Sequence, residues 1–528
     1  MLDIWIRNGS VIDGSGVPRR RADVAVQGGR IVEVGVLEGA RAATVIDAAG
    51  RVVTPGFVDR HSHADRTLPI LPTADSLVHQ GITTVVGGMC GASLAPLLPE
   101  TRAEMTARRT FDDAPLPWHE WSTYGSYLDY LRRNGIAINM VPMVGQGTVR
   151  EAVMGFVSRV PEADELARMQ HEVVRALEEG AIGLTTGLIY PPGSYATTEE
   201  LIAVTRPVGE RHGYYFSHIR GEAARLLDAI AEAIRIGRES GAAVEIGHFK
   251  AAGQPNWPKA AEGLALIDRA YAEGLDITTD MYPYLAGSSS LVSMLPEWAQ
   301  DGGKEATLKR LADAETRKRM AADMDKVGFF RGTAWDKVLI AGSPQNRAYE
   351  GHTVAELAAA EAQPPHEWIF DALLETELQM TMISEYACEE NLVLQLQHPR
   401  MMIGTDADGR APQGILSQGL PHPRNYGTFP RILGRYVREQ GILSLEEAIH
   451  RMCGLPAAKL RWQDRGLIKR GYAADLVILD PDTVIDRATY QAPHQYPLGI
   501  EHVLVNGQLV IRNGEHTGAR PGQILGRT

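Results

Sequence analysis

Two histidines one residue apart, His61 and His63, follow a valine-rich apolar run in Thr-Pro-Gly-Phe-Val-Asp-Arg-His-Ser-His. In an extended chain, residues two apart point the same way, so both imidazoles can face one point. That arrangement offers two neutral nitrogens to a divalent metal. Taken alone, a His-x-His pair fits a polar surface loop equally well. Four further residues bear on the choice. His218, in Phe-Ser-His-Ile-Arg, and His248, in Glu-Ile-Gly-His-Phe-Lys, each follow a short apolar run. They stand 30 positions apart, about one strand–helix repeat. Cys90 ends another such run, and Asp406 follows a fourth in Met-Ile-Gly-Thr-Asp-Ala-Asp-Gly. A lone cysteine or a single strand-end histidine is more often a packing residue. Six such residues at equivalent places form a metal-binding and acid–base set. A thiolate with imidazoles suits zinc, and a carboxylate adds a hard ligand or a base. Cys388 and Cys453 lack this placement and read as packed thiols; Asp408 reads as an Asp-Gly turn residue.

Holding these residues together requires strands that end on one side. Eight apolar runs qualify: 52–58, 82–88, 136–144, 181–186, 213–217, 242–247, 275–280 and 401–405. Amphipathic stretches at helical spacing lie between several of them, at 162–179, 198–212, 222–239 and 259–273. Strand alternating with helix implies parallel pairing, and eight units imply a closed (β/α)8 barrel of the TIM type. An open doubly wound sheet is disfavoured, because no Gly-x-Gly-x-x-Gly turn follows an early strand. In the barrel, His61, His63, Cys90, His218, His248 and Asp406 share the C-terminal rim, where chemistry resides.

Between the last two strands, residues 286–345 open on serines and continue into a polar helical run near 303–325. They predict a mostly helical insertion, either a lid over the barrel mouth or a surface excursion. The two chain ends resemble each other. Ile4 to Ile12 and Val503 to Ile511 each read as strand, Asn-Gly turn, strand. Isolated hairpins would leave apolar faces uncovered, so one β-sandwich assembled from residues 1–54 and 462–528 is expected beside a barrel of residues 55–461.

The composition narrows the function. At 528 residues the chain can bury a large core and form more than one domain. Its net charge of −12 argues against nucleic acid or an anionic membrane surface as partner, and leaves a small-molecule substrate. No apolar run approaches the roughly 18 residues of a membrane span, and no signal segment is visible. With three cysteines, which cannot all pair, this favours the cytoplasm. Oligomeric state is not legible.

The chain resembles the metal-dependent amidohydrolase superfamily, and within it the N-acyl-D-amino-acid deacylases. The likeness runs through Pro55-Gly56-Phe57-Val58-Asp59, Gly81 to Val86 leading to Cys90-Gly91, and Thr186 to Gly193. It continues through Tyr282-Pro283-Tyr284, His422 to Phe429 and Gly471 to Val477, so it covers nearly the whole length. The resemblance implies a tight zinc site of Cys90, His218 and His248, and a second, weaker site of His61, His63 and Asp406. The chain departs from the family pattern at Met89, Ala92 and Gln146, which puts the familiar substrate range in doubt.

The implied reaction is hydrolysis of the amide of an N-acyl-D-amino acid. Zinc would activate water and polarise the carbonyl. Asp406 would accept the water's proton and return it to the departing amine. Lys250, two residues past His248, faces the same side and is expected to hold the substrate carboxylate, against the plainer role of a solvated strand-end lysine. Tyr190 and Tyr282 resemble substrate contacts of the family. Arg220 either orients the site or pairs with Glu222. The competing functions are another amidohydrolase, such as a hydantoinase-like cyclic-amide hydrolase or a dipeptidase-like or carboxypeptidase-like amidase, and a barrel that binds without catalysis. The complete ligand set speaks against the last. Preference for D-substrates rests on the resemblance alone.

Overall fold

Eight short parallel strands surround a buried axis in the computed structural model, which describes residues 1–107, 116–326 and 334–526. They are β1 (Phe57–Asp59), β2 (Ile82–Gly87), β3 (interrupted, Asn139–Pro142 and Val144–Gly145) and β4 (Gly183–Gly187). β5 (Tyr214–His218), β6 (Ala243–Ile246), β7 (Ile277–Met281) and β8 (Met401–Ile403) complete the set. Each pairs in parallel with the next. The ring closes where the Arg60 N–H donates to the Ile403 carbonyl at 3.1 Å and Ser62 bridges Ala407. Every strand residue is buried, as expected of parallel strands covered by helices on the outside. The helices fall where the periodicity places them, for example Ala163–Glu178, Thr198–Glu210, Leu226–Ser240 and Lys259–Ala272. Local chemistry sets their ends. The Thr197 side chain accepts from the Glu200 N–H at one N-terminus, and Gly241, at φ 78°, stops Leu226–Ser240 and turns the chain into β6.

The run 52–58, expected as one strand, is two. Val52–Pro55 pairs with the chain ends, against Ser10–Val11 and Leu476–Leu479, whereas Phe57–Asp59 enters the barrel. Gly56 makes the transfer. A Cβ there would meet Thr83 Oγ1 at 2.1 Å, so no side chain fits between the two sheets.

Both chain ends build a single nine-stranded sheet. It closes back on itself where Arg30 bridges Ala473, around a core that includes Ile6, Val24, Val26, Val53, Leu476, Ile478 and Leu504. The expected turn at Asn8-Gly9 is absent: Leu2–Val11 is one strand, with a bulge between Ile6 and Gly9. Asn8 takes φ 62°, its N–H donates to Asp23 and its amide to Asp47. Beyond the bulge, Ser10 and Val11 pair on both sides, with Arg20–Arg21 and Val52–Val53, so continuing the strand satisfies more backbone than reversing it. The second Asn-Gly, Asn506-Gly507, does turn, at φ 48° and 79°, between Ile500–Val505 and Gln508–Arg512. The tail then leaves the sheet and runs along β3, with the Gly522 N–H donating to Ile136 O and the Leu525 N–H to Met140 O. From these pairings we propose a division at residues 55 and 462 into terminal and barrel domains, with the last few residues lying on the barrel.

The segment after β7 is larger than expected, and beside the expected helices it holds a sheet. Ala286–Ser290 pairs antiparallel with Thr381–Glu385, which also pairs with Val338–Gly342. This three-stranded sheet and its helices enclose their own core, including Leu291, Leu311, Met320, Ile340, Trp368, Phe370 and Met382. The unit therefore closes near residue 385 rather than 345; residues 327–333 within it lie outside the described residues. Among the described residues, no helix is long and apolar enough to cross a membrane.

Candidate metal centre

The strand ends bring the candidate ligands to one point. His61 and His63 follow β1, Cys90 follows β2, His218 ends β5, His248 follows β6 and Asp406 follows β8. Cys90, His248 and Asp406 adopt positive φ, at 53°, 31° and 51°. Left-handed backbone at three non-glycine residues is costly, and such strain concentrates at functional sites. The side chains form two groups that share a thiol. Cys90, His218 and His248 make one; His61, His63, Cys90 and Asp406 make the other, with donor atoms in each within 4.8 Å of one another. His61 Nε2 lies 3.2 Å from both Cys90 Sγ and Asp406 Oδ1, and His63 Nε2 lies 3.1 Å from the same oxygen. Cys90 Sγ is 3.8 Å from His248 Nε2, which is 2.8 Å from His218 Nδ1.

A thiolate is the form a metal takes, and the site favours it. Burial opposes the charge on Cys90, but the neighbouring His61 and hydrogen bonds from His218, His248 and His61 hold it well below the usual thiol range. Asp406 behaves alike. Burial would raise it, yet Arg424, His61 and His63 keep it well below the usual carboxylate range. The Arg424 guanidinium lies 2.7 Å from Asp406 Oδ2.

Three supporting residues were not legible as such. Glu222, 1% exposed, has Oε1 2.9 Å from His248 Nδ1 and Oε2 3.7 Å from His218 Nε2, so one carboxylate backs both imidazoles. Burial opposes its charge, but Lys250, His218 and His248 bring it down to about 2. Asp280 accepts from His61 Nδ1 at 3.0 Å, which leaves Nε2 turned towards Cys90 and Asp406. Arg424 stands in the familial His-Pro-Arg stretch, but its partner Asp406 is 18 positions earlier, too far for a local pattern to reveal the pair. Glu222 and Asp280 occur in no motif, so residue type alone gave no signal.

Lys250 is not a solvated strand-end lysine. It is 8% exposed, and its ammonium lies 2.7 Å from Glu222 Oε1 and 2.8 Å from His248 Nδ1. Burial would discharge it, but Glu222 outweighs that and keeps it protonated. It also borders a side cavity of about 40 Å³ with Tyr190, Tyr282, Tyr386, Ser288, Ser289 and Asp406. The Tyr282 and Tyr386 hydroxyls are 2.6 Å apart, and the Arg424 guanidinium lies 4.7 Å above the Tyr282 ring. Arg220 takes neither expected role: it pairs with Glu232 at 2.9 Å and donates to the carbonyls of Ser194 and Ala196. Asp408 is more than a turn residue, lying 3.8 Å from Arg66 Nε and 3.6 Å from Arg410 Nη2 on the wall of the main cleft. Gln146 is buried against Glu200 at 3.5 Å, while Ala92 lines the cleft. Cys388 and Cys453 are buried free thiols and belong to neither metal-binding group.

That cleft, about 450 Å³, opens above the ligands between the barrel rim and the insertion and reaches Cys90, His63 and Asp406. Its size admits a small organic molecule. The Amidohydrolase family model matches residues 44–511. The chain is 37% identical to D-aminoacylase from Alcaligenes xylosoxydans xylosoxydans, covering 100% of this chain and 98% of that one. It is 38% identical to N-acyl-D-glutamate deacylase from the same organism, covering 100% and 97%. The structure superposes with a TM-score of 0.84 on the crystal structure of N-acyl-D-glutamate deacylase from Bordetella bronchiseptica, at 34% identity over 100% of both chains. That protein is complexed with zinc and a phosphonate inhibitor that mimics the tetrahedral intermediate of its reaction.

Proposed function

Since the chain belongs to the amidohydrolase family, we propose that it is a zinc-dependent deacylase that hydrolyses the amide bond of N-acyl-D-amino acids. The donor set fits the metal: one depressed thiol and two imidazoles in the first group, two imidazoles, the same thiol and a carboxylate in the second. Cys90, His218 and His248 would hold zinc tightly, and His61, His63 and Asp406, sharing the thiol, would hold a second ion more weakly. When bound, zinc supplies a Lewis acid for the scissile carbonyl and lowers the pKa of water.

The residues of the chain do the rest. Asp406, held ionised beside Arg424, accepts the proton of the attacking water and delivers it to the amine nitrogen, which leaves poorly without it. The observation that carries the substrate class is the side cavity next to the ligands. A protonated lysine, three tyrosines and several serines surround a space of carboxylate size, with Arg424 over the Tyr282 ring. Lys250, Tyr282 and Tyr190 would hold the α-carboxylate there, fixing the carbonyl against Asp406. With both ends fixed, only one hand of the substrate turns its side chain into the open cleft. The three unpaired thiols suit a reducing cytoplasm.

A panel of N-acetyl amino acids of both hands, assayed by amine release with zinc present, tests the reading. Turnover of the D-series with little of the L-series is expected. Equal rates for both hands would reduce the assignment to a general amidohydrolase. Turnover of hydantoins or dipeptides in preference to N-acyl amino acids would replace it.

A further inference from the structure

One oxygen of Asp280 holds a residue from each metal-binding side. Asp280 belongs to neither donor group, is fully buried and stands one residue before the end of β7. Its Oδ1 accepts from His61 Nδ1 at 3.0 Å and from the backbone N–H of His248 at 3.0 Å. The first bond fixes the ring and tautomer of His61, leaving Nε2 as the ligand atom. The second fixes the left-handed turn that aims His248, at φ 31°. The two ring centroids lie 4.8 Å apart. Gly404 closes the clamp from the third side, since a Cβ there would fall 2.5 Å from His61 Cβ and 3.1 Å from Asp280 Oδ1. Oδ2 has no hydrogen-bond partner among the described residues, so this buried carboxyl is kept here for the bonds of a single oxygen.

Resting on the metal centre described above, we propose that Asp280 is the positioning residue that sets the distance between the two groups, and with it the affinity for the second metal. The effect is unequal by construction. His248 retains Glu222 as a support for its side chain, whereas Asp280 is the carboxylate bonded to His61 Nδ1. Losing Asp280 therefore weakens the His61, His63 and Asp406 side and largely spares Cys90, His218 and His248.

Zinc affinities of the unaltered enzyme, Asp280→Ala and Asp280→Asn, measured by competition with a chromophoric chelator, test this. The thiolate-to-cobalt charge-transfer band of the cobalt-substituted proteins reports separately on Cys90. In Asp280→Ala the second equivalent should bind about 10–100-fold more weakly, with the first equivalent and the cobalt band retained. Asp280→Asn keeps an oxygen that can accept both N–H groups, so its loss should be smaller. It is close in shape to the native residue and carries the test if the alanine variant fails to fold. Parallel weakening of both equivalents, unchanged affinities, or absence of a second equivalent in the unaltered enzyme would overturn the proposal. Absence of any zinc in the unaltered enzyme would instead overturn the reading of the metal centre itself.

Discussion

The Cys90–His218–His248 group and the His61–His63–Asp406 side meet at one sulfur but are built differently. The first joins a thiolate to two imidazoles, at 9%, 3% and 3% exposure, and a single carboxylate, Glu222, backs both rings. The second joins two imidazoles to a carboxylate, and its His63 side chain is 16% exposed towards the cleft. Its supports are divided between Asp280 behind His61 and Arg424 behind Asp406. Soft donors with a shared buttress suit retention of a metal; harder donors at the mouth of the cleft suit contact with substrate. On the reading proposed, the same strand ends supply two grades of site, and the surroundings differentiate them as much as the candidate ligands do.

The largest effect should follow from removing what the two sides share. Cys90→Ala takes a ligand from both, so zinc content should fall close to zero and activity with it, as elemental analysis and an amine-release assay would show. Full occupancy with normal turnover would break the comparison at its centre. Asp406→Asn separates the sides. It should lower kcat by about 10³–10⁴-fold, because one residue serves both proton transfers, while the tight zinc and the circular dichroism spectrum stay unchanged. Retention of more than a tenth of the activity would assign the base elsewhere.

Lys250→Met probes the link between buttress and substrate. Loss of a charged hydrogen bond, worth about 1.5–3 kcal/mol, corresponds to roughly a 10–150-fold rise in KM for N-acyl-D-amino acids. Substrates with an amidated carboxylate should suffer much less. Equal losses would show that Lys250 acts only through Glu222 and His248. Glu222→Gln should lower tight-zinc affinity about 10-fold by competition with a chelator and, because Glu222 keeps Lys250 protonated, raise KM as well, by less than Lys250→Met does. A change in KM alone would move Glu222 from metal support to substrate contact.

The convergence of the six candidate ligands was legible because metal chemistry restricts residue type and barrel geometry restricts place. Their supports were not. Glu222 and Asp280 are ordinary acidic residues whose roles arise from contacts across neighbouring strands, and Arg424 reaches Asp406 over an 18-residue excursion. The barrel strands were visible as apolar runs, but the division of 52–58 was not. Val52–Pro55 and Phe57–Asp59 are equally apolar and buried, and only their partners differ. The Ser-rich strand Ala286–Ser290 carries no strand signal in its side chains, and its partner Thr381–Glu385 lies about 95 residues later. The Asn8-Gly9 signal was real in its conformation, at positive φ, yet it produced a bulge because strands on both sides continued the pairing.

The transfer at Gly56 has a consequence for assembly during synthesis. The segment leading to His61 and His63, two strands joined at Gly56, gains its early neighbours, Leu2–Val11 and β2, within the first hundred residues made. Its other neighbours, β8 and Leu476–Leu479, emerge from the ribosome some three to four hundred residues later. Contacts of such separation form slowly, because the intervening chain must be closed first. The histidine pair is therefore fixed among the last parts of the molecule, and zinc captured earlier in translation would have to exchange into the finished site. A chain ending before residue 476 should leave one edge of Val52–Pro55 unpaired, with its apolar face open to other chains.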